Sequence, residues 1–185
     1  MMDTLDHLIR HLVRQEQTPK VIVWAHNSHT GDARATQMTE EGEINIGQLA
    51  RQRHAGKSVL IGFSTYRGTV TAATHWGGKS EKKHVPAGLN GSYESFFHES
   101  GIPNFLLLIR DRPEVIHALQ PGRPERAIGV IYRPEVERWN HYFHANLWNQ
   151  FDAVIHFDKT RAVEPLEKAS TWEQEELPET YPSGM

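Results

Sequence analysis

Apolar residues recur along this chain in two rhythms. Near the amino end, Leu5, Leu8, Ile9, Leu12 and Val13 follow the 3.6-residue period of one helix face. Asp3 or Thr4 is placed to cap that helix, and Gln17-Thr18-Pro19 to end it. Further on, the apolar positions become short unbroken runs: Val21-Ile22-Val23-Trp24, Val59-Leu60-Ile61-Gly62-Phe63, Phe105-Leu106-Leu107-Leu108-Ile109, Ala127-Ile128-Gly129-Val130-Ile131-Tyr132 and Ala153-Val154-Ile155-His156-Phe157. Such runs read as buried strands. Arg67-Gly68 suggests a turn into a further strand-like segment, residues 69–74. Between the runs, Asn45 is a cap candidate for a helix that starts at Ile46 and stops at Gly56, and Ser92 for one holding Tyr93, Phe96 and Phe97. Residues 27–43 form a polar stretch, long for a connection in a compact domain, and residues 77–83 read as a solvated loop.

Strands that alternate with helices predict an α/β layered fold, with a mostly parallel β-sheet flanked by helices. In such sheets the ligand crevice lies at the carboxyl ends of the strands, which is where the segment after Trp24 falls. No linker divides the chain. One domain is expected over residues 1–168, followed by a flexible acidic tail over residues 169–185.

Composition narrows the functional classes. The 185 residues are 38% hydrophobic and 23% charged, with a formal net charge of -3, so no basic field points to nucleic acid or to an anionic membrane. No apolar run approaches the roughly 20 residues of a membrane helix. The first residues lack the pattern of a secretory signal, and a cytoplasmic location is expected. The absence of cysteine removes disulfides and thiolate chemistry. Histidine, with 12 copies, is the unusual residue, and it serves readily as base, acid or ligand near neutral pH.

The densest chemistry is Trp24-Ala25-His26-Asn27-Ser28-His29, followed by Asp32 and Arg34. Two imidazoles on one short loop can converge on a substrate, one accepting a proton from water while the other holds a developing oxyanion. Asp32 could orient a histidine, and Arg34 could bind a carboxylate or a developing negative charge. Glu43 is a candidate acid, base or orienter, and His75 a candidate for lining the same crevice. His141 and His144 flank a late aromatic pair. The bland reading of each is structural: His26 bonding backbone, Asn45 capping a helix, the other histidines packed or solvated. No cofactor is expected, although His26 and His29 with Asp32, Glu43 or His75 could also hold a divalent metal. There is no Gly-x-Ser-x-Gly elbow, phosphate loop or dinucleotide fingerprint.

Val23-Trp24-Ala25-His26-Asn27-Ser28-His29 with Gly31-Asp32-Ala33-Arg34 resembles the central histidine motif of the erythromycin esterase family. The likeness continues through Asn45-Ile46-Gly47-Gln48-Leu49, Gly91-Ser92-Tyr93-Glu94, residues 126–132 and 151–156, and ends near Arg161-Ala162-Val163-Glu164-Pro165-Leu166. The resemblance implies an α/β fold and a hydrolase that opens esters or macrolide lactones with histidine-activated water. His26, His29 and Glu43 are then the catalytic candidates, and Asp32, Arg34 and His75 the substrate-binding ones. It also implies an earlier Gly-Glu-x-x-His-Gly segment, which this sequence does not contain. The chain is thus expected to match the carboxyl-terminal part of the family architecture. Its exposed sheet edge would favour a homo-oligomer or a complementary amino-terminal half.

Overall fold

The computed structural model of this chain describes residues 1–15 and 18–164. Its helices are α1 (Met2–Arg14), α2 (Asn27–Thr30), α3 (Ile46–Arg53), α4 (Tyr93–Glu99), α5 (Pro113–Leu119), α6 (Glu137–Asn140) and α7 (Leu147–Gln150). Its strands are β1 (Ile61–Ala72), β2 (Glu81–Val85), β3 (Asn104–Leu108), β4 (Arg123–Arg126), β5 (Tyr142–Ala145) and β6 (Ala153–Thr160). The expected tail at 169–185 and the end of the first helix at Gln17 lie outside the described residues.

The fold is α/β, but its sheet is mixed and mostly antiparallel rather than mostly parallel. The four-stranded sheet has the order β2-β1-β6-β3, and β4 and β5 form a separate pair. Only β1 and β6 run parallel; β1–β2, β3–β6 and β4–β5 are antiparallel. The connection from β1 to β2 is residues 73–80, too short for a parallel crossover, which needs a dozen residues or more. An apolar run reports burial, and it is silent about direction.

Several expected elements shift for local reasons. The run Val21–Trp24 is not a buried strand: it carries no regular structure, with Ile22 89% and Trp24 83% exposed. No turn interrupts β1 at Arg67-Gly68. The strand passes straight through Gly68, whose φ of 137° and close approach to Thr160 leave no room for a side chain, since a Cβ there would lie 2.1 Å from the Thr160 carbonyl oxygen. The run Ala127–Tyr132 contracts to a single parallel bridge between Ile131 and Ala73, while the charged residues just before it form β4. The expected solvated loop ends early, because residues from Glu81 pair along β1 as β2. Helix α1 begins at Met2 without a side-chain cap, so Asp3 and Thr4 lie inside its first turn. The other caps form as expected. The Gln48 amide donates to Asn45 Oδ1 at 2.9 Å, and the Ser95 amide to Ser92 Oγ at 3.3 Å.

The two faces of the sheet differ sharply. Residues paired across strands share a face. One face carries Gly62, Ser64, Val154, His156, Phe105 and Leu107, and packs on a core of Tyr93, Phe97, Ile109, Leu119, Leu147 and Phe151. Contact there is close: a Cβ on Gly62 would sit 2.8 Å from the Phe151 ring. The opposite face aligns Phe63, Ile155 and Leu106 in one row and Ile61, Ala153 and Leu108 in the next. Here Ile61 and Phe63 are 42% and 41% exposed, Leu106 and Leu108 57% and 52%, and Phe157 40%. The exposed Trp24 ring lies 5.4 Å from the Phe63 ring. Among the described residues no helix is long and apolar enough to cross a membrane.

Candidate active site

The histidine loop is held by side-chain amides rather than by a strand. Asn27 Nδ2 donates to the Phe63 carbonyl at 2.7 Å, and the Phe63 amide donates to Asn27 Oδ1 at 3.0 Å. These two bonds satisfy a stretch of β1 that lies before its pairing with β2, which starts at Gly68. From the other side, Asn45 Nδ2 donates to the carbonyls of Ser28 at 2.7 Å and Gly31 at 2.8 Å. Gly47 lets α3 approach that closely, because a Cβ on it would fall 2.2 Å from the Thr30 carbonyl oxygen. Asn45 is thus both a helix cap and a clamp on the loop.

Within this frame the two histidines differ. His26 caps α2: the Ser28 amide donates to its Nδ1 at 3.2 Å, and Ser28 Oγ lies 2.8 Å from the same nitrogen. Burial, and then the neighbouring His29, push its pKa below the usual histidine value, against a hydrogen bond with the Ile128 backbone that works the other way. His26 is therefore neutral near pH 7, with its ring engaged on both sides. The His29 ring stands edge-on to it at 6.4 Å, exposed to solvent.

Asp32 and Arg34 are brought together as a bidentate pair, Arg34 Nε to Oδ1 at 2.9 Å and Nη2 to Oδ2 at 2.6 Å. Burial would raise the Asp32 pKa, but Arg34 outweighs it with Arg51 in support, and the carboxyl is held below its ordinary value. Arg51 lies 3.9 Å from Asp32 and 3.0 Å from Asp152, tying the loop to the start of β6. Asp32 thus orients Arg34 rather than a histidine.

Among the described residues, neither Glu43 nor His75 makes a hydrogen bond or ion pair with His26 or His29. Glu43 is exposed and no contact joins it to either imidazole, and His75 lies on an exposed turn with Nδ1 at 3.1 Å from the Trp76 carbonyl. His141 bonds the Arg133 amide and the Ala127 carbonyl, and His144 is exposed on β5. Among the described residues, no group of three or more His, Cys, Asp or Glu side chains is placed to hold a metal ion.

Sequence reasoning missed two buried carboxylates. Glu125 on β4 is 3% exposed and Glu94 on α4 is 1% exposed. Asn27 Nδ2, already bonded to Phe63, also lies 3.3 Å from Glu125 Oε1, and the Arg126 amide donates to Glu94 Oε1 at 3.0 Å. Burial, and then the proximity of Glu94, raise the Glu125 pKa to about 8, while Asn27 and Gln150 oppose the shift. Burial raises Glu94 likewise. In sequence, no periodicity around Pro124-Glu125-Arg126 betrays its burial.

With this geometry in view, residues 1–160 match the family described as Erythromycin esterase. The chain belongs to the erythromycin esterase family. Among solved structures it is similar to a succinoglycan biosynthesis protein, with 25% identity and a TM-score of 0.63 over 84% of this chain and 38% of that one. It is also similar to a Bacillus cereus protein, with 21% identity and a TM-score of 0.64 over 80% of this chain and 35% of the other. A mutant of the erythromycin esterase EreC in its open conformation shares the fold at 17% identity and a TM-score of 0.57, over 85% of this chain and 35% of that one. The chain thus spans little more than a third of the length of the structures it matches.

Proposed function

We propose that this chain is a hydrolase region that directs water onto an ester or lactone, with His29 as the group that meets water or the developing oxyanion. The observation that carries this reading is the family match across a histidine loop clamped from both sides by Asn27 and Asn45. His26 is neutral, engaged through Nδ1 and bonded to the Ile128 backbone, so it suits holding the loop. His29 is the ring left free to act. Arg34, aimed by Asp32, supplies a fixed positive charge beside the loop for a carboxylate or an oxyanion. Glu43 has no support here as a catalytic group. The test is hydrolysis of p-nitrophenyl acetate and of a macrolide lactone by the purified chain, with and without a chelator. His29→Ala should lower the rate by about 100-fold or more, and equal rates for mutant and wild type would remove His29 from the reaction.

A second reading is favoured by the bare sheet face: a chain whose site is completed by association. Ile61, Phe63, Leu106, Leu108 and Phe157 make a contiguous apolar surface of the kind that monomeric soluble domains seldom leave open. A second copy or a complementary amino-terminal region of this family would cover it. Sedimentation of the chain alone, and then mixed with such a region, decides between them. A chain that stays monomeric, gains no partner and hydrolyses esters unaided would dispose of this reading.

A further inference from the structure

We propose that Glu125 is a positioning residue for the histidine loop: as a buried carboxylic acid it accepts from Asn27, and its ionisation resets Asn27's hold on the loop. This rests on the same loop as the proposed function but concerns its control rather than its chemistry.

The case starts from hydrogen-bond accounting. Glu125 lies in the interior, and no cation pairs with it among the described residues. The guanidinium of its neighbour Arg126 is directed elsewhere: Nη1 donates to the carbonyls of Thr65 and Tyr66, Nη2 to that of Pro86, and Nε faces Glu137 at 3.0 Å. An isolated buried carboxylate is costly, and such a group sheds its charge by keeping its proton. The groups around Glu125 are Asn27 from the histidine loop, Gln150 from α7, Glu94 and Tyr93 from α4, and Arg123 two residues before it on β4. Arg123 is the one cation named here and it is turned to the Phe96 ring, 4.7 Å from its centre, while Glu94 is a second carboxylate.

One unfilled atom fits this reading. Glu125 Oε2 is buried without a hydrogen-bond partner, while Oε1 accepts from Asn27. A charged oxygen left bare in a dry site is costly, and a proton on Oε2 removes that charge while Oε1 stays an acceptor for Asn27. The neutral acid is the form that leaves no buried charge in this cluster. Raising the pH removes that proton, sets a charge against Glu94 in a dry site, and forces the cluster to rearrange. Asn27 is the direct route outward, because its amide bonds Glu125, both polar backbone atoms of Phe63, and stands between His26 and Ser28 in sequence.

The experiment is an NMR titration of the labelled full chain from pH 5 to pH 9, following the Asn27 side-chain amide and the imidazole signals of His26 and His29. In the wild type the Asn27 signals should move in a step centred near pH 8. Glu125→Gln mimics the protonated acid, so it should keep the low-pH Asn27 position throughout and lose that step. Glu125→Ala should displace the Asn27 signals at every pH. Persistence of the step in E125Q overturns the proposal, and so do Asn27 and histidine signals that are the same in E125A as in the wild type. If E125A does not fold, E125Q decides alone. No turnover is needed, so a chain without esterase activity leaves this inference open to its own test, and an active chain with no step refutes it.

Discussion

The two faces of one four-stranded sheet have been treated differently by the rest of this chain. Both are apolar, and both are built from the same strands in the same register. One lies against Phe97, Phe151 and the helices that carry the core; the other presents Phe63, Leu106 and Leu108 to solvent. A strand's hydrophobicity therefore states which surface can be buried, and only the supply of a second layer states whether it is. The histidine loop sits at the boundary: Asn27 is bonded to Phe63, whose ring belongs to the bare face, and to Glu125 in the buried polar cluster.

The largest test of this contrast is truncation on each face. Phe151→Ala opens a cavity against Gly62 and the core and should cost about 3–5 kcal/mol, read as a fall in urea midpoint. A loss of similar size from Leu106→Ala in the chain alone would break the comparison.

Next is pH. Glu125 is protonated in the folded state up to about pH 8 but ionises in the unfolded chain near 4.5, so its contribution is complete below about pH 4.5 and is lost as the pH rises through 8. The half-buried His26 and the buried His141 and His156 work in the opposite sense, because their lowered values cost stability as the pH falls through about 6.5. The histidine effect fades about one pH unit above that point. From about pH 7.5 to 8.5 stability should then fall by about 1 kcal/mol, visible as a declining Tm. In Glu125→Gln the decline should flatten; an unchanged decline would place the sensitive group elsewhere.

Asn45→Ala should cost about 1 kcal/mol through the lost cap and loosen the loop by removing its bonds to Ser28 and Gly31. Amide exchange of residues 28–31 should quicken, and unaltered exchange would show that Asn27 suffices. The smallest effect is on the bare face itself. Leu106→Ala should change the stability of the isolated chain by less than about 0.5 kcal/mol while reducing the binding of an apolar dye. If a partner covers this face, the same change should weaken the complex far more than the fold.

How much was legible beforehand varies with the range of the interaction. The caps at Asn45 and Ser92 were readable because a cap bond spans three residues, and Asn27 stood in view within the motif. The burial of Glu125 and Glu94 was invisible, because nothing local marks a charged residue for the interior, and Glu125 meets Asn27 from 98 positions away in the chain. Glu43 was a candidate because it closes the polar stretch after the motif, and His75 because it follows a strand-like segment, and neither position in sequence says which side chains it meets in space.

By itself the sequence determined the α/β character, the apolar runs at β1, β3 and β6, the two helix caps, the histidine motif and the family. These rest on local chemistry, on periodicity and on a pattern of residues that survives without coordinates. The tertiary structure alone decided the direction of the strands, the failure of Val21–Trp24 to form one, the separation of His26 as an engaged ring from His29 as a free one, and the bare face. Each of these depends on which neighbours arrive to complete a hydrogen-bond ladder, bury a ring or cover a sheet, and no single stretch of sequence carries its neighbours with it.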